Sequence, residues 1–339
     1  MKILVFEYIT GGGFCREDLP KSLAAEGLLM LKALLRDLSA LDVEPVFLLD
    51  VRLSGEVGAI GGNAGSVVHV EQTDDINAIL QTHMDYCDAV WLLAPEMDNV
   101  LLNLTRMVER HGKILLSSPS AVVELTSDKY KTFQHLTAHD IPAVPTEFLN
   151  RWDFYKIGGQ RHVLKPFDGM GCVQTFIIDS GDDFEQVKLE LDGPERYIVQ
   201  PFVEGQSKSL SCLFRNGKGW LLSINGLAVQ VEGRKLTLSL CRVNVSTDTN
   251  KYQSLTDRIA RAIPGLWGYA GIDFIENSEG IAVLEINPRL TTSYAGIRQA
   301  RGLNVAEQTV SMLKQDPVLK FTQDRLITVS VTKGVTNAS

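Results

Sequence analysis

Hydrophobic positions divide the chain into stretches of different period. Residues 2–7 form an unbroken apolar run of strand length, the pattern of a strand covered on both faces in a parallel sheet. Leu23, Leu28, Leu31, Leu34, Leu35 and Leu38 then recur at helical spacing, which predicts a helix from about Pro20. Strands are predicted at 43–49, 88–94 and 113–117, and helices at 75–83 and 99–110. Strands alternating with helices give an open parallel sheet, expected over residues 1–118. Within it, residues 51–70 hold Gly55, Gly58, Gly61, Gly62 and Gly65 and read as a surface loop.

After Ser118 the pattern changes. Ser127 predicts the cap of a helix over 128–138 that carries Asp128 and Lys129 in its first turn. Strands follow at 146–149 and 161–166. The loop KPFDGMGC, residues 165–172, leads into a strand at 173–178, and a helix at 183–191 precedes a strand at 196–202. This is a small α+β unit, residues 119–204. From residue 207 long antiparallel strands dominate, at 209–215, 219–225 and 235–244, with a helix at 252–263. A helix at 305–314 and a last strand at 326–332 with a polar tail complete the pattern. The predicted fold class is α/β, with a larger mixed antiparallel unit over 205–320 and a terminal strand and tail over 321–339.

The stretch YAGIDFIENSEGIAVLEINPRLTTS, residues 269–293, reads as two strands joined by the polar turn ENSEG. Alternation puts Glu285 and Asn287 on one face of the second strand, and Asp273 on the partner strand can sit opposite them. Ile281, Val283, Leu284 and Ile286 are expected to fix that strand in a core. Oxygen donors on a rigid element, with Arg289 just beyond, suit Mg²⁺, which takes carboxylates together with phosphate oxygens.

Composition narrows the classes. The net charge of -8 comes without a basic run, which argues against nucleic acid and anionic membranes as partners. The five cysteines are scattered, with no CxxC, so a disulfide framework or zinc site is not expected and a cytoplasmic setting is. The N-terminal apolar run is too short for a signal peptide, and no stretch reaches the roughly 20 apolar residues that span a bilayer.

A polyphosphate must be neutralised, covered and held at its base end. Lys165 ends a strand before a loop in which Gly169 and Gly171 allow backbone N–H groups to face phosphates, and Lys129 is a second cation. In YIVQPFVEG, Pro201 ends ladder pairing, which frees backbone near Gln200 to read an adenine edge. Phe202 and Val203 can flank the ring and Glu204 can reach ribose hydroxyls. Glu7, Tyr8, Gly11 and Gly12 lie where the first strand ends, the edge at which open α/β sheets bind ligands, and are the expected substrate contacts. Thr291, Thr292 and Ser293 either contact substrate or phosphate or cap the following helix. A dinucleotide-binding dehydrogenase is the other enzyme class that a glycine-rich start suggests, but GxGxxG is absent and the acidic hairpin would have no use.

Lys129, Lys165 with its glycine loop, QPFVEG, Asp273 and the ExNPR run from Glu285 to Arg289 follow the order found in the ATP-grasp superfamily, which residues 118–307 resemble. The opening FEYITGGG, the AEG at 25–27 and EINPRLTTSYAG look like the tyramine–glutamate ligase group of methanofuran-type cofactor synthesis. D-alanine–D-alanine ligases usually carry an arginine two residues before the aspartate, where this chain has Gly271; NPRLTTS also resembles carbamoyl-phosphate synthetase subunits, which are far longer. The resemblance implies an ATP-grasp fold behind a pre-ATP-grasp domain, with Lys129 and Lys165 on ATP phosphates, residues 200–204 on adenine and ribose, and Asp273, Glu285 and Asn287 on two Mg²⁺ ions, Mn²⁺ being an alternative. It further implies an ADP-forming carboxylate–amine ligase. Its small-molecule substrates would be L-glutamate and tyramine or tyrosine, with Lys165 and Arg289 as the catalytic cations; independently of the resemblance, a homodimer, the commonest closed assembly, is the default expectation. A non-catalytic ATP-binding regulatory protein is the rival from another class.

Overall fold

The apolar run at the N-terminus is the central strand of a parallel sheet. Strands β1 (Lys2–Glu7), β2 (Glu44–Asp50), β3 (Ser66–Val70), β4 (Ala89–Leu93) and β5 (Ile114–Leu115) lie in the order β3-β2-β1-β4-β5, all pairs parallel. Helices α1 (Lys21–Leu38), α2 (Ile76–Asp85) and α3 (Val100–Arg110) cover its faces. The computed structural model describes residues 1–60, 65–151, 160–330 and 334–337. The stretch read as a loop at 51–70 instead holds a short helical segment, Val51–Ile60, and strand β3, which runs beside β2 from Val46↔Ser66 to Asp50↔Val70. As an edge strand β3 is mostly half-buried or exposed, so it lacks the apolar run that marked its neighbours. Gly61 and Gly62 lie outside the described residues.

A second, antiparallel sheet follows helices α4 (Ser120–Thr126) and α5 (Lys129–Ala138). The cap of α5 is Asp128, whose carboxylate accepts the N–H groups of Tyr130 and Lys131 at 2.9 and 3.0 Å; Ser127, expected in that role, has a buried hydroxyl without a partner. Strands β6 (Glu147–Phe148), β7 (His162–Pro166), β8 (Phe176–Ile178) and β9 (Tyr197–Pro201), with helix α6 (Gly181–Lys188), form the smaller half. Strand β8 starts later than the predicted residue 173 because Cys172 and Gln174 hold positive φ angles of 62° and 51°, which no strand tolerates. The larger half comprises β10 (Gln206–Arg215), β11 (Lys218–Glu232), β12 (Lys235–Val243), helix α7 (Asn250–Ala262), β13 (Gly268–Asn277) and β14 (Gly280–Asn287). Helices α8 (Tyr294–Arg301) and α9 (Val305–Ser311) follow, then β15 (Ile327–Ser330) and β16 (Gly334–Asn337). Strand order is β14-β13-β10-β11-β12-β8-β7-β9-β6, with β15 on β12 and β16 on β15, so part of the stretch read as a polar tail pairs as a strand.

Packing sets which parts move together. One face of the large sheet shares a continuous core with the first sheet, in which Leu31, Leu34 and Leu38 of α1 meet Leu213, Tyr269, Tyr294 and Ile297. A buried polar pin reinforces it: Asp37 accepts Tyr294 Oη and Arg298 Nη1, each at 2.9 Å. The smaller half has a separate core of Leu149, Leu164, Phe176, Ile178, Val187, Tyr197 and Val199. The first sheet and the large strands therefore share one core, and the β6–β9 unit, with its own core, is joined to them by the β12–β8 pairing at Lys235↔Phe176, by ion pairs such as Arg234–Asp183 and Arg196–Asp98, and along the cleft between them.

Candidate active site

The acidic hairpin is built as the alternation requires, with one irregularity. Asp273 of β13 faces Glu285 of β14 as a direct Cα partner, and Asn287 faces Gly271. The register then jumps, Phe274 pairing with Val283, so Leu284 is an extra residue in a β-bulge. The bulge lets Val283 and Ile286, three apart, both be buried while Glu285 and Asn287 open the other way. Leu284, expected in the core, is half-buried and lines the cleft instead.

That cleft is a cavity of about 300 Å³ between the small and large halves, the lower end of the range for small-molecule sites. Lys129, Lys165, Gly169, Gly171, Asp273 and Glu285 line one end. Lys129 Nζ lies 3.0 Å from Glu285 Oε2 and donates to the carbonyl of Gly169 at 2.5 Å, joining the loop to the hairpin through one buried ammonium. Burial pushes the Lys165 ammonium down and Glu285 pushes it back up, with the first effect winning. The same burial raises the Asp273 carboxyl well above the carboxylate range, and the Glu285 charge beside it adds to the shift; Glu285 itself is held low against burial by Lys129 and Lys165. Gln200, Pro201, Phe202 and Val203 line the cavity, with the Gln200 amide buried against Thr146 Oγ1 at 2.9 Å. Glu204 is exposed and does not line the cavity. Sequence reasoning missed Lys208, which enters the cavity paired to Glu276 at 2.5 Å, and the walls supplied by Val163, Ile275 and Leu284. Alternating apolar strand residues carry no mark of which face meets a ligand.

A second cavity adjoins the first across Asp273 and Glu285, and Asn287, Arg289, Thr291, Thr292 and Ser293 line it. Arg289 is buried and its Nη2 donates to Glu96 Oε2 at 2.7 Å, bringing the end of β4 to the hairpin. Thr292 Oγ1 donates to Glu26 of α1. Beneath them Tyr269 Oη lies 2.9 Å from Ser211 Oγ and from Thr291 Oγ1, and Asn225 Nδ2 donates to Ser211 at 3.0 Å. Helix α8 receives no side-chain cap from Ser293, so these hydroxyls serve the network and the cavity, not the helix end. Glu96 was not singled out from the sequence, and Glu26 only as part of AEG; single acidic residues on a loop and a helix show no spacing signal.

The first-strand residues lie one layer back. Glu7 is buried, its carboxylate accepts Thr10 N–H at 2.7 Å and the Thr10 hydroxyl at 2.5 Å, and burial pushes it up to about 7. Gly27 packs on it so closely that a Cβ there would stand 2.5 Å from Glu7 Oε2. Gly11 and Gly12 face Phe6 and Val70. Glu7, Tyr8, Gly11 and Gly12 line neither cavity.

The donor set fits a divalent ion of the hard type. Two carboxylates on facing strands repel each other unless a cation lies between them, and this repulsion adds to burial in raising Asp273. Among the described residues no group of three or more His, Cys, Asp and Glu side chains forms a metal cage, so the set is two carboxylates and the Asn287 amide, with room for phosphate oxygens. No described helix is long and apolar enough to cross a membrane.

The chain is similar to known proteins. Residues 126–293 match the profile of the ATP-grasp domain and residues 43–123 that of the pre ATP-grasp 3 domain. The tyramine–L-glutamate ligase of Methanocaldococcus fervens is 30% identical over 307 residues, 87% of this chain and 89% of that protein. The enzyme of the same description from Methanocaldococcus jannaschii is 27% identical over 305 residues, 87% of this chain and 84% of that protein. Among solved structures, an ATP-grasp superfamily protein from Archaeoglobus fulgidus superposes with a TM-score of 0.72 at 22% identity, covering 97% of this chain and 92% of that one, a likeness of fold. With the two lysines, the glycine loop and the acidic hairpin gathered in one cleft, these matches identify the chain as a member of the ATP-grasp family and as an ATP-dependent ligase that forms C–N bonds.

Proposed function

We propose that the protein joins L-glutamate to tyramine, activating a glutamate carboxylate as an acyl phosphate and releasing ADP and phosphate. The observation that carries this reading is the convergence of Lys129, Lys165, Gly169 and Gly171 with Asp273 and Glu285 at one end of a cavity that opens into a second one bearing Arg289. Lys129 and Lys165 bind phosphate oxygens, and the 169–171 loop covers them with backbone N–H groups. Gln200 to Val203 hold adenine, with ribose toward Glu204. Asp273, Glu285 and Asn287 are the residues to hold two Mg²⁺ ions, or Mn²⁺, and the bound metal supplies charge neutralisation on the polyphosphate. Arg289 and Lys165 face the developing charge of the acyl phosphate, where a water-poor site strengthens their effect. Once the amine attacks the acyl carbon, the C–N bond forms and phosphate leaves with the electrons of the C–O bond. In this reading residues 1–118 are the pre-ATP-grasp domain, 119–204 the lid, 205–320 the metal-bearing unit and 321–339 a terminal appendage.

The test is product analysis. Purified protein with ATP, Mg²⁺, L-glutamate and tyramine should yield a glutamyl-tyramide by mass and one ADP for each amide. AMP as the nucleotide product would sink the acyl phosphate. Amide formed with another amine or acid, and none with glutamate and tyramine, would sink the substrate assignment alone.

A further inference from the structure

The second cavity is unevenly charged. Glu26, Asp273 and Glu285 line it, and among the described residues Arg289 is the one lysine or arginine on its wall. Arg289 already has a carboxylate partner in Glu96, and its Nε is buried and unpartnered. In the reaction assigned above, that donor and the hairpin carboxylates belong to the acyl phosphate and the metal ions that accompany it. Glu26 is left over. It reaches the cavity from α1, its hydrogen bond there comes from the neutral hydroxyl of Thr292, and among the described residues no lysine or arginine forms an ion pair with it, Arg289 acting on it only as a nearby charge. Glu7, the neighbouring carboxylate of the first domain, is closed off by Thr10 and by Gly27. Leu227, Leu238 and Cys241 add an apolar wall to the same cavity.

We propose that Glu26 receives the ammonium group of the acceptor substrate and holds that nitrogen beside the acyl phosphate, where it attacks as the free amine once its proton has passed to the Glu26 carboxylate. The proposal rests on the ligase reading and deepens it. Glu26, one hydroxyl and an apolar wall suit a primary amine with a hydrophobic body. An α-carboxylate on the acceptor would face Glu26, Asp273 and Glu285, and among the described residues the one guanidinium on this cavity, Arg289, is paired with Glu96. The acceptor class is therefore an amine without a carboxylate, tyramine and not tyrosine.

Glu26→Gln tests this, because it keeps the shape and removes the charge. Two assays are run on wild type and variant: amide synthesis with tyramine varied, and hydroxamate formation from glutamate with hydroxylamine, a small nucleophile that is uncharged at neutral pH. The variant should show a KM for tyramine about 30-fold higher, the loss of one charge-assisted hydrogen bond, while hydroxamate formation and the KM for ATP change less than about three-fold. Glu26→Asp, with its charge retained, should fall between the two. Hydroxamate synthesis falling in parallel with amide synthesis overturns the proposal, since Glu26 would then serve the glutamate or the fold. An unchanged KM for tyramine overturns it as well. If Glu26→Gln does not fold, Glu26→Ala, which also removes the charge, is read by the same two criteria. Wild-type protein that forms no hydroxamate from glutamate refutes the parent ligase reading, and that result is distinct from each of the others.

Discussion

Gly271 is a place where one added carbon reaches the buried hydroxyl network under the second cavity. A Cβ there would lie 2.7 Å from Thr291 Cγ2, well inside contact distance, and β13 is held on both sides by Ser211↔Gly271 and Gly271↔Asn287 pairing. The strand has no slack, so Thr291 must give way. Its hydroxyl is tied to Tyr269 and to Ser293, each at 2.9 Å, so the displacement passes to the segment that presents Thr292 to Glu26. Gly271→Ala should cost about 1–3 kcal/mol in overpacking, of which about 0.5–1 kcal/mol is offset by the better strand propensity of alanine. A net loss of about 1–2 kcal/mol is expected, read as a lower denaturation midpoint at unchanged slope, with ATP turnover reduced about ten-fold or more. Thr291→Ser removes the clashing methyl and keeps the hydroxyl, so the double variant should recover most of both losses, a coupling measured by the four-protein cycle. No recovery in the double variant, or a Gly271→Ala protein indistinguishable from wild type, would refute the contact argument. The same geometry excludes an arginine at this position, the residue by which D-alanine–D-alanine ligases differ.

Two further outcomes follow from other contacts. Burial raises the Glu276 carboxyl, but hydrogen bonds from Lys208, Lys251 and Tyr252 outweigh it and bring the group down to about 2, so its stabilisation is complete above its ordinary value of 4.5 and is lost as pH falls toward 2. Denaturation at pH 3 and pH 7 should show a pH-dependent part of about 2 kcal/mol that Glu276→Gln lacks. Asp168, buried in the glycine loop, accepts the N–H of Asp98 at 2.9 Å and lies near Arg196, which clasps that loop to the first domain. Asp168→Ala should raise the KM for ATP about three- to ten-fold, with a smaller effect on turnover at saturating nucleotide, as measured by ADP release.

Much of this architecture is legible in the residues, for stated reasons. Continuous apolar strands and the leucine spacing of α1 gave the parallel sheet, and the two-residue alternation placed Glu285 opposite Asp273. Strand β3 escaped because an edge strand in a glycine-rich stretch has half its surface in water. The β14 bulge escaped because one extra residue, Leu284, shifts the alternation without changing composition. Asp128 and Ser127 are equally good caps on paper, and packing chose between them. Glu26 and Glu96 acquire their places only when two sheets far apart in the chain share a core, which no local pattern encodes.

The central claim is that the 269–293 hairpin is the metal and phosphate centre of an ATP-dependent ligase. Glu285→Gln tests it most directly, since the amide keeps the size of the side chain and loses the charge that faces Asp273 and Lys129. Steady-state ADP release with ATP, Mg²⁺, L-glutamate and tyramine, on protein whose circular dichroism matches wild type, should fall by about a thousand-fold or more. Turnover within a few-fold of wild type would contradict the account.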